Sequence, residues 1–358
     1  MVRVLHPQMK ATGNDEADSF WFKLFQKLDR MVKMQIIICP QSHFQLQESV
    51  VSNFFEPLEE MYHLLSRGFQ FVEQKLIIER QFRSSVLSWL DKSKKRPIPH
   101  SFSDVFNGDI DIWLPKTYKY QPSYYPPVYE EVLRESRERI HKQWVREFYL
   151  WKERNNTKFD KWRENFYLSL IISILSSSGI YHKNKDYLPA LPNINIGLCQ
   201  FLLESVDILS IIHSVLAEED MDRKEFESNV HLFLLSEHFR EIPFIKLYSL
   251  FYSSLARKAG SGQKKPPDQG MTNDLNMLSL LLPYCDAMFI DNQCRTCLEE
   301  KDVIEHFDYK TSVFSLNNKE KFFAYLEKLE KDLPAKYLEK VVEIYGKEWI
   351  DIPTKLYQ

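Results

Sequence analysis

The stretch Asn273–Gln293, NDLNMLSLLLPYCDAMFIDNQ, decides how the rest of the chain is read. Apolar residues at helical spacing from Asp274 predict a helix, Pro283 breaks it, and Ala287–Ile290 reads as a short apolar strand. Asp274 then stands at a helix amino terminus, where a carboxylate is favoured by the dipole and the free N–H groups. Asp286 precedes the strand and Asp291 ends it. In an open α/β sheet, ligands bind outside the carboxyl ends of the strands, so Asp291 is well placed for chemistry.

Working outward, a second β-branched run, MQIIIC (Met34–Cys39), stops at Pro40 and predicts a buried strand. Ser42 is placed to cap a following helix that carries Glu48. If the two strands are neighbours, Glu48 approaches the edge that carries Asp291. Thr311–Ser315 reads as a further short strand, and residues 318–345 as one or two helices. Between about 50 and 256 the pattern is almost all helical. Only 9 glycines in 358 residues agree with a helix-rich protein. Residues 257–270 (RKAGSGQKKPPDQG) form a flexible basic loop. The expected fold class is therefore α/β. Residues 1–50 and 271–358 would form the sheet domain, with a large helical insertion at 51–256.

Several function classes drop out. A net charge of −3 excludes a uniformly basic nucleic-acid coat, and 44% apolar residues exclude global disorder. Five scattered cysteines are no disulfide scaffold and suit a reducing compartment. The first twenty residues lack the apolar core of a signal peptide, and the apolar segment 166–181 is short for a span. A cytoplasmic protein without a membrane segment is expected.

Carboxylates meeting at a sheet edge repel one another unless a hard cation sits between them. Mg²⁺ or Mn²⁺ suits all-oxygen ligands, activates water and stabilises a leaving oxygen in phosphodiester hydrolysis. The acidic run resembles the carboxy-terminal motif of PIN-like nucleases, in which one acid opens a helix and another follows the next strand about seventeen residues on. Asp274 and Asp291 fit that arrangement, and Asp286 resembles the extra acid of a poorly characterised bacterial branch. IIICPQSHFQLQES resembles the family's second strand and helix, which makes Glu48 the second acid. The resemblance covers roughly residues 30–50 and 270–330. It implies a PIN-like parallel sheet and a metal-dependent endonuclease acting on RNA, with Glu48, Asp274 and Asp291 as metal ligands. Asp286 would be a further ligand or would orient the attacking water. The chain departs from the pattern at its start, where MVRVLHPQ supplies no strand ending in aspartate. That departure motivates the alternative of a PIN-like module that binds or assembles without cutting.

Other signals are weaker. Residues 134–161 interleave cations with aromatics, including Arg146, Trp144, Trp151 and Lys152. Such a face would suit single-stranded RNA in a helical binding protein. Glutamates at ion-pairing spacings favour instead a solvated helix with an aromatic inner face. Arg134 and His141 fit the spacing of HEPN ribonucleases, a match that is cheap in a chain rich in both residue types. Lys264 and Lys265 lie on the basic loop just before Asp274, placed to hold a phosphate backbone. Cys294 and Cys297 form one CxxC, too little for a zinc site without a second pair.

Overall fold

The computed structural model describes residues 15–91, 102–116, 124–177, 207–218 and 223–349. In chain order the elements are α1 (Asp15–Lys33), α2 (His43–Val50), α3 (Phe55–Ser66), β1 (Gln70–Phe71), α4 (Gln74–Leu90) and β2 (Phe106–Asn107). Then come α5 (Pro127–Glu153), α6 (Phe159–Ser177), α7 (Ile208–Glu218), α8 (Arg223–Leu234), α9 (Glu237–Arg240), α10 (Pro243–Gly260) and α11 (Gln269–Leu281). The rest is β3 (Ala287–Phe289), α12 (Asn292–Leu298), α13 (Lys301–Ile304), β4 (Ser312–Phe314), α14 (Lys319–Lys331) and α15 (Ala335–Tyr345).

This architecture overturns the expected parallel sheet. Among the described residues β1 pairs with β2, antiparallel, and β3 pairs with β4, each sheet having two strands. The run Met34–Cys39 is not a strand. Helix α1 carries on to Lys33, Gln35 turns into the left-handed region at φ 52°, and the Ile36 amide donates to the Met31 carbonyl at 3.0 Å. The chain reaches a strand-like bridge only at Gln41, opposite Gln70. The Ser42 cap forms as expected: Ser42 Oγ accepts from the Gln45 amide, and Gln45 Oε1 accepts from the Ser42 amide at 2.8 Å.

The chain divides into two compact units. Unit 1 comprises residues up to Val72, Val105–Arg134 and Phe314 onward. Its clearest cluster packs Met34, Val341 and Tyr345 with Ile36, Trp113, Tyr337 and Trp349. Here α15 wraps the apolar run. The Tyr345 hydroxyl lies 2.6 Å from both Gln35 Oε1 and the Leu114 carbonyl, and Tyr337 donates to the Met34 and Gln35 carbonyls at 3.1 and 3.0 Å. Backbone groups that a strand would pair are thus satisfied by side chains. A cavity of about 30 Å³ lies between Ile37, Ile38, Leu65, Ser66 and Phe69, room for one water molecule.

Unit 2 comprises Glu73–Asp104 and Glu135–Val313. Helix α10 is buried along nearly its whole length and packs against α6 and α11. Burial on every side explains why FIKLYSLFYSSLA shows no polar face; its serines turn back to their own helix, as when Ser253 Oγ donates to the Ser249 carbonyl at 2.8 Å. Trp144, Phe148 and Trp151 of α5 point into this core, and Trp151 Nε1 donates to Tyr252 Oη at 3.1 Å. Each such side chain taken out of water contributes about 1.5–3 kcal/mol. No described helix is long and apolar enough to cross a membrane; α6, which carries residues 166–177, is buried in this unit.

Candidate acidic site around Cys294

Helix α11 starts earlier than its apolar pattern suggests. Asp268, not Asp274, is its cap: the Asp268 carboxylate accepts from the Met271 amide at 2.8 Å. Asp274 therefore lies inside the helix, half-buried and one turn before Leu278, with Leu275 and Leu278 fully enclosed. After the break at Pro283, β3 runs to Phe289 and Asp291 caps α12, with Asp291 Oδ1 accepting from the Gln293 amide at 2.6 Å.

Cys294, three residues into α12, shows what these turns bring together. It is fully buried. Burial pushes its thiol up from the ordinary range, and Asp274, Cys297, Asp291 and Asp268 each push further. Three carboxylates therefore act on one buried sulfur. Two of them, Asp274 and Asp291, are residues that sequence reasoning selects. The third, Asp268, was legible as a capping residue after a proline pair but lies in text that reads as a loop.

The remaining candidates lie on other elements. Asp286 is exposed and opens β3, its carbonyl accepting from the Ser312 amide at 2.9 Å. Asp286 and Asp291 stand at opposite ends of an extended segment, where five residues span roughly 16 Å, so they do not share an ion. Glu48 sits half-buried on α2 in unit 1, where burial and then its charge push the Tyr62 hydroxyl up to about 12. Lys264 and Lys265 are exposed on the short connection between α10 and α11, in which Gln263 Nε2 donates to the Lys265 carbonyl at 2.8 Å. Among the described residues, no group of three or more His, Cys, Asp or Glu side chains is arranged to hold a metal ion.

The basic–aromatic face resolves into a solvated helix. Arg146 and Lys152 are exposed on α5, but Trp144, Phe148 and Trp151 are enclosed in the core and offer no rings to bases. Arg139, Lys142 and Arg146 share a shallow groove with Glu135 and Glu138, and Lys142 pairs with Glu138 at 2.7 Å. Arg134 is committed to Glu130 and to the Val51 carbonyl, at 2.7 and 2.8 Å. Cys39, Cys285, Cys294 and Cys297 are free thiols; Cys199 lies outside the described residues.

No family model matches the chain, and comparison with curated proteins and with solved structures finds no match.

Proposed function

We propose that this chain is a divalent-metal-dependent endonuclease that hydrolyses phosphodiester bonds of RNA, with Asp274 and Asp291 as its central carboxylates and Asp268 beside them. The observation that carries this reading is the joint action of those three carboxylates on Cys294. The short resemblance of Asn273–Asn292 to the acidic motif of PIN-like nucleases supplies the reaction class, without the sheet that accompanies it in that family.

The donor set bears on the metal. A full protein cage is absent among the described residues, whereas Mg²⁺ commonly takes one or two carboxylates, keeps waters and completes its shell with substrate phosphate. Asp291 commits Oδ1 to the α12 cap and leaves Oδ2 for an ion. Such an ion would polarise the phosphate and lower the pKa of a bound water. The chain's own part is to hold negative charge at a fixed place, since the α11 and α12 caps lock the Asp268 and Asp291 rotamers. Lys264 and Lys265, four and three residues before Asp268, supply exposed cations for the phosphate backbone. Asp286 and Glu48 are not required.

Cleavage of labelled single-stranded RNA in Mn²⁺, with and without chelator, tests the proposal. Cutting that chelator stops and that Asp274→Asn/Asp291→Asn abolishes is the expected result. Cutting that survives the double substitution would refute it. A second reading, a non-cutting binding or assembly module, is favoured by the missing three-ligand group among the described residues. Retained RNA binding without cutting by the unaltered chain would establish that reading instead.

A further inference from the structure

The CxxC left aside by the nuclease reading has a partner that the sequence does not advertise. Cys294 and Cys297 lie three residues apart in the seven-residue helix α12, so both sulfurs lie on one side of a single turn. The last turn of α10 brings Lys258 Nζ to 3.1 Å from Cys297 Sγ. The same ammonium lies 3.1 Å from Glu300, which also binds Arg257, and Arg257 reaches Asp302 at 2.8 Å. The amine is therefore held against the sulfur by a chain of ion pairs rather than by chance rotamer. Burial pulls the Lys258 amine down, but Cys297 and Glu300 outweigh it and keep it protonated. The Lys258 ammonium thus donates to the Cys297 sulfur and fixes where it sits.

We propose that Cys294 and Cys297 form a peroxide-responsive dithiol switch in which Lys258 positions the Cys297 sulfur. The Cys297 sulfur attacks hydrogen peroxide: an S–O bond forms, the O–O bond breaks, and the departing hydroxide takes the thiol proton as water. Cys294 sulfur then attacks the sulfenic sulfur of Cys297. The S–S bond forms, the S–O bond breaks, and hydroxide leaves as water with the proton of Cys294. Two thiols are oxidised and one peroxide is reduced to two waters.

The bridge deforms the helix that carries it. Cβ atoms three apart on a helix are about 5–6 Å apart, and a disulfide needs about 3.5–4.5 Å. Closure pulls at the hydrogen bonds from Arg295 to the Asp291 carbonyl and from Glu299 to the Arg295 carbonyl, both 3.0 Å. Both sulfurs are fully enclosed, so peroxide meets Cys297 when this short helix opens, and the oxidation rate reports on that opening. The switch shares α12 and Cys294 with the carboxylates proposed above, but its test reads thiols and not cutting, so either can fail alone.

The full chain is treated with hydrogen peroxide, its remaining thiols are alkylated, and its peptides are weighed. The expected product has lost two hydrogens, with Cys294 and Cys297 protected from alkylation until a reductant is added. Lys258→Met is expected to slow bridge formation by about tenfold through loss of that positioning, and Lys258→Arg to restore most of the rate. In Cys294→Ser, Cys297 is expected to stop at the sulfenic acid and to be captured by a cyclic dione. This variant decides the matter if Lys258→Met does not fold. Full alkylation of both cysteines after peroxide, sulfinic acid at Cys297 with Cys294 still free, or an unchanged rate in folded Lys258→Met would overturn the proposal.

Discussion

Two short apolar runs read alike on paper, Met34–Cys39 and Ala287–Ile290, and only the second is a strand. The difference lies in what meets their backbones. At the second run the chain returns as β4, and the Ser312 amide closes on the Asp286 carbonyl while Thr311 Oγ1 donates to the Leu282 carbonyl at 2.6 Å. At the first run the partners are side chains: Tyr337 on the Met34 and Gln35 carbonyls, Trp349 Nε1 on the Lys33 carbonyl at 3.3 Å, and Tyr345 on the Gln35 side chain. A β-branched run is a request for burial and for hydrogen bonds, and a strand is one of two ways to meet it.

That comparison is breakable at its aromatic clamp first. Tyr345→Ala removes a ring enclosed among Met34, Trp113 and Trp349 and should lower stability by about 3–5 kcal/mol. Urea unfolding followed by tryptophan fluorescence reads this directly, since Trp113 and Trp349 flank the ring. A shift of the midpoint worth less than about 1 kcal/mol would mean that the run is held by something other than the clamp.

The strand pair offers the counterpart with a smaller effect. Ser312→Pro deletes the amide that bonds Asp286 and should cost about 1–3 kcal/mol. Hydrogen exchange at the amides of 287–290 should rise in this variant and stay unchanged in Tyr345→Ala. Equal exchange in both would dissolve the distinction between the two runs.

The smallest effect concerns acid. Helix α3, whose Leu65 and Ser66 face the first run, carries His63, which burial holds below its ordinary pKa of 6.5 despite the opposing pull of Glu59 at 4.0 Å. The unfolded chain therefore binds this proton first as pH falls. Stability from the neutral imidazole is complete above pH 6.5 and declines below it. His63→Gln should flatten the loss of stability between neutral pH and the acid side of that value. An unchanged slope would assign the loss to other groups.

Local features were legible in the sequence and distant ones were not. The Ser42 cap, the strands at 287–290 and near 312–314, and the aromatic inner face of α5 all follow from residues within a few positions of each other. The parallel sheet did not follow, because it required Met34–Cys39 to find a strand neighbour, and the chain offers it α15 from some three hundred residues away. Asp274 and Asp291 stand out through the acidic run and its resemblance, but Asp274 lies inside the helix that it was expected to open. Asp268 was passed over because Pro266 and Pro267 made its surroundings read as a loop, although a proline-led aspartate is also how a helix begins. The Lys258–Cys297 contact joins two helices and leaves no trace in any local pattern.

The proposal stands or falls on whether Asp274 and Asp291, with Asp268 beside them, lend carboxylates to a cation that keeps most of its waters. Titration of the full chain with Mn²⁺, read by electron paramagnetic resonance of the free ion, tests it without reference to cutting. One ion bound by the unaltered chain, retained in Asp286→Asn and lost in Asp274→Asn/Asp291→Asn, is the result expected. Binding that survives the double substitution, or no binding by the unaltered chain, would contradict it.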